Sequence, residues 1–245
     1  MRGLTPISSG GTVKGMVICL PINVDLNVGD RTLQLEKTLQ LIELGNREAD
    51  YIEIWFDTMT EGEMEEVLGR AHKKVIAVCR GKDERGHFSG SESGRIGRLA
   101  AAVRSGAGLV DCGIQTDPML IDELRATCDE AKAQLIISHH MWDRTPSLEE
   151  LIRLERSTRE LGADIVKIAT TARSWSDTVV LFEFMNRMHE AHHQIIALAM
   201  GERGRLSRLG CQLLGGVLTY VAADETTTTA PGQWTLSELS KWGLR

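Results

Sequence analysis

Residues 134–169 read QLIISHHMWDRTPSLEELIRLERSTRELGADIVKIA, and this stretch sets the pattern for the whole chain. Its two ends, 134–139 and 164–169, are short apolar runs rich in isoleucine, which predict strands buried on both faces. Between them, Thr-Pro-Ser at 145–147 followed by two glutamates is typical of a helix start, and leucine and isoleucine repeat at helical spacing over 148–161. A strand, a helix and a strand joined by short links predict a parallel α/β unit.

The same alternation continues from one end of the chain to the other. Eight stretches are predicted as strands: 16–22, 51–56, 74–79, 108–112, 134–139, 164–169, 194–200 and 216–222. Eight strand–helix units in 245 residues favour one closed (β/α)8 TIM barrel. The first strand is not followed by a GxGxxG motif, which argues against an open dinucleotide-binding sheet. We therefore predict a single α/β barrel domain over residues 1–245, with the Gly- and Ser-rich residues 1–15 as a hairpin over the barrel floor.

Composition excludes several classes of protein. The net charge of −6 argues against a nucleic-acid surface, although it allows a local cationic pocket for an acidic metabolite. The apolar runs are too short to span a bilayer, and the N-terminus has no apolar segment typical of a signal peptide. The five cysteines form no CxxC pair and are predicted to be buried thiols. These features predict a cytoplasmic protein that binds a small molecule and contacts neither nucleic acid nor membrane.

A lysine inside an apolar strand is the first chemical signal. Lys167 lies within the run 164–169, where burying a cation is costly. Desolvation lowers the pKa of a buried lysine and makes its amine available as a nucleophile. The alternative interpretation is a lysine paired with a carboxylate inside the barrel, and the residues alone leave both interpretations open.

A histidine ends the strand that precedes Lys167. Neighbouring barrel strands bring their C-terminal ends within side-chain reach, so His140 and Lys167 are expected to meet. This pair suits an enzyme that forms a Schiff base and must move a proton next to the imine carbon. A lone histidine is more often structural, but the pairing with Lys167 favours the functional interpretation.

Two loops after the last strands contain residues suited to anion binding. Residues 201–208, Gly-Glu-Arg-Gly-Arg-Leu-Ser-Arg, combine two glycines with a Ser-Arg pair at a helix start, which offers backbone donors and the guanidinium of Arg208. Residues 229–233, Thr-Ala-Pro-Gly-Gln, contain a turn signal and place Gln233 where it could hydrogen-bond a ligand. Either stretch alone is also compatible with an ordinary surface loop.

The run His-Glu-Ala-His-His at 189–193 matches the HExxH pattern of zinc enzymes. It ends a predicted helix just before the seventh strand, so it should face the bottom of the barrel, and no third ligand is apparent. We therefore predict no metal site there.

Taken together, these residues resemble type I 3-dehydroquinate dehydratase, a family of the shikimate pathway, over about residues 16–238. The motifs that carry the resemblance occur in the family's order on successive strands: Glu53-Ile-Trp-Phe-Asp57, Arg80, Ser138-His-His140, Lys167-Ile-Ala169, Gly204-Arg-Leu-Ser-Arg208 and Thr229-Ala-Pro-Gly-Gln233. Each motif is weak alone, and their shared order makes the match specific.

Two positions depart from the family's pattern. Trp55 stands where the family has an arginine two residues after the strand-two glutamate. Gln115 is aligned, one residue short, with an acid near the end of strand four that hydrogen-bonds the family's catalytic histidine. Both replacements remove charge from the site, so they are predicted to affect its rate and its choice of substrate.

The resemblance implies conversion of 3-dehydroquinate to 3-dehydroshikimate with loss of water, without a metal or an organic cofactor. Lys167 would form an imine with the ring ketone, and His140 would carry the proton. The other implied contacts are Arg208, Gln233 and Thr229 at the substrate carboxylate, Glu53 and Arg80 at the ring hydroxyls, and Met200 as an apolar wall. The family also implies a homodimer.

Two alternatives remain open at this point. An aldolase-like Schiff-base lyase acting on another oxo-acid would share Lys167 and His140 but not the Ser-Arg and Ala-Pro-Gly-Gln pair. A relative that binds a shikimate-like metabolite without turning it over would fit the loss of charge at Trp55 and Gln115.

Overall fold

The computed structural model describes residues 16–244, so the predicted N-terminal hairpin lies outside the described residues. The strands of the described part are β1 (Ile18–Ile22), β2 (Tyr51–Trp55), β3 (Lys74–Val78), β4 (Leu109–Gly113), β5 (Gln134–His140), β6 (Ile165–Thr171), β7 (Ile195–Met200), β8 (Thr219–Ala222) and β9 (Trp234–Thr235). Its α-helices are α1 (Arg31–Glu48), α2 (Glu61–Arg70), α3 (Glu92–Arg104), α4 (Pro118–Ala131), α5 (Leu148–Glu160), α6 (Trp175–Glu190), α7 (Arg205–Leu213) and α8 (Leu236–Lys241).

The strands pair in parallel, in the order β7-β6-β5-β4-β3-β2-β1-β8-β9. The sheet curls until its ends approach, and the backbone N–H of Val217, just before β8, donates to Ile195 O of β7 at 2.9 Å. One buried apolar cluster draws residues from β1 and from each of β3 to β8, as the filled interior of a barrel requires. The predicted (β/α)8 barrel fold is confirmed.

Local signals in the quoted stretch act as predicted. The Ser147 side chain accepts from Glu150 N, and the Glu150 carboxylate accepts from Ser147 N at 2.9 Å, so a capping box starts α5. β5 and β6 run slightly beyond their predicted ends, to His140 and Thr171. β9 was not predicted, because two residues are too few to leave a periodic pattern.

Alternate residues of each strand point into the barrel, and their polarity changes along its axis. Inner positions nearer the N-terminal ends of the strands are apolar, such as Leu109 of β4 and Ile165 of β6. The next inner positions on the same strands are Asp111 and Lys167, both buried. Parallel strands bring such side chains to the same end of the barrel, where barrel enzymes place their chemistry.

None of the helices in residues 16–244 is long and apolar enough to cross a membrane. All five cysteines are buried free thiols, as predicted.

Candidate active site

Lys167 lies inside the barrel, and its ammonium group is paired with two carboxylates. Lys167 Nζ is 2.7 Å from Asp111 Oδ2 and 3.3 Å from Glu53 Oε2, and all three side chains are buried. Burial lowers the pKa of Lys167, but the charges of Asp111 and Glu53 outweigh burial and raise this pKa above its ordinary value. The expected lowered pKa is therefore wrong for this structure: Lys167 is an ion-paired ammonium, and it acts as a nucleophile only after it loses a proton.

Asp111 connects two cations and was not recognised from the sequence. Its Oδ1 accepts from Arg80 Nη2 at 2.9 Å and from Ser138 Oγ at 2.6 Å, while its Oδ2 faces Lys167. Burial opposes ionisation, but Arg80 and Lys167 hold the pKa of Asp111 well below its ordinary value. The inward alternation of β4, which also buries Leu109, is the signal that could have found this residue.

The structure corrects the alignment of Gln115. This residue follows β4, is exposed, and borders surface clefts outside the barrel interior. Gln115 and His140 both border one of these clefts, but among the described residues the two side chains make no hydrogen bond. The acid at the inward position of β4 is Asp111, so the negative charge that the alignment had removed from the site is present.

His140 ends β5 and points into the barrel, whereas His139 points outward and pairs its Nε2 with Thr158 Oγ1 at 2.6 Å. In the register between β5 and β6, Ser138 lies beside Lys167, so His140 is the next inward residue toward the barrel mouth. Burial holds the pKa of His140 well below its ordinary value, and the positive charges of Arg80 and Lys167 lower it further. His140 is therefore neutral near pH 7 and can accept a proton.

Arg80 follows β3 and is fixed by acids from three segments. Its Nη1 donates to Glu84 Oε1 at 2.7 Å, its Nη2 donates to Asp111, and its backbone N–H donates to Asp57 Oδ1 at 2.8 Å. Glu84 lines the same cavity as Lys167 and His140. It was missed from the sequence because it lies in a short 3-10 turn, Lys82–Glu84, that has no strand pattern.

Trp55 changes the surroundings of Glu53 without leaving that carboxylate unpaired. Trp55 Nε1 donates to Glu53 Oε1 at 3.0 Å, while Glu53 Oε2 faces Lys167. The Arg80 guanidinium lies 5.8 Å from the centre of the indole ring. The indole thus supplies Glu53 with one neutral donor, and the rest of its surface makes part of the cavity wall apolar.

Arg208 is a buried cation at the other side of the cavity. It is 1% exposed, its Nη2 donates to Pro231 O at 3.1 Å, and its Nε has no partner. Burial and the nearby Arg205 lower the pKa of Arg208 to about 10. None of the ion pairs between described residues includes Arg208, so the arrangement suits an anionic ligand.

Gln233 presents a second unused donor near Arg208. Its Oε1 accepts from Thr229 N at 2.8 Å and from Thr229 Oγ1 at 3.3 Å, and its buried Nε2 has no partner. Thr229 therefore orients the amide of Gln233. Gly232 has a φ of +73°, and a Cβ at this position would lie 2.5 Å from Gly201 O, so glycine allows this loop to pack against the loop after β7.

These side chains line one cavity at the C-terminal ends of the strands, where barrel enzymes place their chemistry. The predicted site residues in its wall are Glu53, Trp55, Arg80, His140, Lys167, Met200, Arg208, Thr229 and Gln233. Gln115 is the predicted site residue that lies outside this wall. The wall also contains Trp142, Leu198 and Tyr220, which sequence reasoning did not single out.

The HExxH-like run lies away from the cavity, on the stretch that leads into the N-terminal end of β7. His193 Nδ1 lies 2.9 Å from the buried Glu155 Oε1, at the opposite end of the barrel from Lys167. Within residues 16–244, no group of three or more His, Cys, Asp or Glu side chains is arranged to hold a metal ion.

A buried lysine, a neutral histidine and an unpaired buried arginine at the mouth of a barrel are typical of enzymes that bind an anionic carbonyl compound through a lysine. Residues 31–242 match the family model of type I 3-dehydroquinase, and the chain belongs to this family. The family predicted from the sequence is confirmed.

Individual relatives agree with this membership. The chain is 35% identical over 191 residues to 3-dehydroquinate dehydratase of Desulfotalea psychrophila, covering 78% of this chain and 84% of that one. It is 30% identical to the enzyme of the same name from Methanocaldococcus jannaschii, covering 93% and 98%. The crystal structure of type I 3-dehydroquinate dehydratase from Clostridium difficile with covalently modified comenic acid is 28% identical, with a TM-score of 0.79 and coverage of 93% and 90%.

Proposed function

We propose that the chain converts 3-dehydroquinate to 3-dehydroshikimate and water through a Schiff base on Lys167. The observation that carries the proposal is that Lys167, His140 and the unpaired Arg208 line one cavity. They supply a nucleophile, a base and a site for a carboxylate. The relatives named above are 3-dehydroquinate dehydratases, which supports this reaction.

Imine formation begins when the Lys167 ammonium passes one proton through Asp111, 2.7 Å away, to the ketone oxygen as the amine adds, so Asp111 is a carboxylate again when the imine forms. The amine attacks the ketone carbon, a C–N bond forms, and the π electrons of the carbonyl move to oxygen. The carbinolamine then loses water to give the imine. Once protonated, the imine withdraws electrons and acidifies the neighbouring C–H bond, while Asp111 and Glu53 stabilise its positive charge.

His140 is placed to carry the proton in the next steps. Its neutral ring takes the proton from the carbon beside the imine, and the electron pair forms an enamine. The enamine expels the hydroxyl group from the following carbon, and the protonated His140 supplies the proton with which that group leaves as water. Hydrolysis of the imine releases the conjugated enone and restores Lys167.

The remaining cavity residues fit the orientation of the substrate. Arg208 and Gln233 hold the carboxylate, because both carry buried donors that have no other partner. Glu53 accepts a hydrogen bond from a ring hydroxyl, and Arg80 donates a hydrogen bond to a ring hydroxyl. Met200 forms an apolar wall. Thr229 acts by orienting Gln233.

The reaction is tested by following the absorbance of the conjugated enone with 3-dehydroquinate as the substrate. A panel of open-chain oxo-acids, assayed for carbon–carbon cleavage, serves as the comparison. We expect dehydration of 3-dehydroquinate alone. Turnover of an open-chain oxo-acid without enone formation would favour the aldolase-like alternative, and tight product binding without turnover would favour the non-catalytic alternative.

We also propose a homodimer. Apolar side chains are exposed on the neighbouring helices α6 and α7: Trp175, Val179, Leu206 and Leu213, between 47% and 75%. Such a surface supports contact with a second copy. Light scattering should give twice the chain mass of 27.1 kDa at micromolar concentration, and a single-chain mass would contradict the dimer. The cytoplasmic location stays a prediction from the sequence.

A further inference from the structure

Tyr220 is a buried tyrosine in the cavity wall whose hydroxyl group has no hydrogen-bond partner. It lies in β8, is 5% exposed, and its hydroxyl oxygen is inaccessible to solvent. Buried tyrosine hydroxyls usually find a partner, because an unsatisfied one destabilises the folded state. The steps proposed above leave this hydroxyl group without a role.

The surroundings of Tyr220 connect it to the reacting lysine and to Glu53. Lys167 Nζ lies 4.4 Å from the centre of the Tyr220 ring. Burial raises the pKa of Tyr220 well above its ordinary value, and the charge of Glu53 and the approach of the hydroxyl to that carboxylate raise it further. The hydroxyl therefore keeps its proton and faces Glu53, but it does not meet hydrogen-bond geometry while Lys167 is an ammonium. Both oxygens of Glu53 already face other donors, Trp55 Nε1 and Lys167 Nζ.

The number of hydrogens on Lys167 changes during the proposed reaction. A lysine ammonium has three N–H groups, and two of them are directed at Asp111 and Glu53. A protonated imine has only one N–H group. Because the contact with Asp111 is shorter, 2.7 Å against 3.3 Å, the single N–H stays with Asp111 and Glu53 Oε2 loses its donor.

We propose that Tyr220 is a positioning residue for the covalent stage, whose hydroxyl donates to Glu53 when Lys167 becomes an imine. The exchange keeps Glu53 satisfied and in place while this carboxylate holds a substrate hydroxyl. It also provides a hydrogen-bond partner for a hydroxyl group that has none while Lys167 is an ammonium. The inference rests on the proposed Schiff base and adds a residue to it.

The first test is Tyr220→Phe, which removes only the hydroxyl group. Since the ring and the cavity shape remain, we expect unchanged KM and an unchanged or higher Tm, but a kcat lower by about tenfold or more, as for a lost hydrogen bond to a charged group. Tyr51→Phe is the matched control, because the chain has two tyrosines and Tyr51 lies outside the cavity wall. The control should keep the parent kcat. A kcat for Tyr220→Phe within twofold of the parent would overturn the inference.

The second test asks whether Tyr220 acts through Glu53. In a double-mutant cycle with Glu53→Gln, the loss of kcat caused by Tyr220→Phe should become much smaller, because the carboxylate that it serves is gone. Fully additive losses would contradict the coupling. Borohydride trapping of the parent distinguishes failure of the proposed function from failure of the inference about Tyr220. If no adduct is trapped, the proposed function fails. If the parent is trapped and active but Tyr220→Phe keeps the parent kcat, only the inference about Tyr220 is rejected.

Discussion

Four buried charged groups meet around the reacting amine: Lys167, Arg80, Glu53 and Asp111. Two are cations and two are anions, so their charges balance. Well-packed apolar residues would often give equal or greater stability in the same place, so stability alone does not account for such a cluster. Its arrangement fits a site where an ammonium ion becomes an iminium ion and positive charge must be stabilised throughout.

The charges around His140 predict the pH dependence of the reaction. Proton abstraction needs neutral His140, whose pKa is held below the ordinary value of about 6.5. The acid limb of kcat/KM should therefore lie below pH 6.5, with activity lost as the pH falls through the lowered pKa. Arg80→Gln removes a cation that lowers this pKa, so the limb should move to higher pH. Asp111→Asn removes the opposing charge, so the limb should move to lower pH.

The pH profiles of the two variants and the parent are the measurement, with Asp129→Asn as the control. Asp129 pairs with Arg125 while its side chain is 69% exposed, so this control should leave the limb unchanged. Shifts of Arg80→Gln and Asp111→Asn in the same direction would contradict the assigned electrostatics.

Because Arg208 has no carboxylate partner among the described residues, replacing it should lower the affinity for ligand without lowering the stability of the fold. Arg208→Met removes a buried cation that has no carboxylate partner, so the Tm should stay unchanged or rise. Affinity for the carboxylate product should fall by about 2–5 kcal/mol, the range for a lost buried charge pair. Calorimetric titration with 3-dehydroshikimate measures the loss, and Arg153→Met on the exposed side of α5 is the control. Equal affinity in Arg208→Met would place the carboxylate elsewhere.

Individual residues show where sequence reasoning reached its limit. Burial of Lys167 followed from the apolar strand around it, but the direction of its pKa shift depends on Asp111 and Glu53, which lie 56 and 114 residues away in the chain. Gln115 was aligned by counting from the end of a strand. The alternation of side chains across β4 instead selects Asp111 as the inward acid.

At the level of elements, the β5-α5-β6 unit positions the reacting pair. Parallel pairing in register brings Ser138 beside Lys167 and sets His140 one inward position further along. This unit was predictable because the capping sequence and the apolar runs act locally. The loops after β7 and β8 were predictable as turns, but their mutual packing depends on a backbone contact, Gly201 N to Pro231 O at 3.1 Å, that no local pattern shows.

That loop contact can be tested with Gly232→Ala. The added Cβ would lie 2.5 Å from Gly201 O, and the φ of +73° disfavours alanine, so the loop must move and carry Gln233 with it. We expect a higher KM for 3-dehydroquinate with a largely preserved fold. Gly62→Ala in α2 is the control, because a Cβ there meets nothing within 4 Å and alanine favours the helix. An unchanged KM in Gly232→Ala would show that the loop does not hold the substrate.

At the level of the whole molecule, the barrel joins groups that are far apart in sequence. β2, β4, β5 and β6 supply Glu53, Asp111, His140 and Lys167, and the segments after β7 and β8 supply Arg208 and Gln233. The fold was predictable because eight similar units repeat along the chain. The charge pairing inside the barrel was not, because it depends on which strands become neighbours across the interior.

The central claim is that Lys167 forms a covalent imine with the substrate. Borohydride added together with 3-dehydroquinate should reduce that imine, inactivate the protein and add one ligand mass to the peptide that contains Lys167. His140→Ala should still be labelled while turning over slowly, and borohydride without the substrate should label nothing. An unmodified Lys167 peptide in a protein that keeps its activity after this treatment would contradict the account.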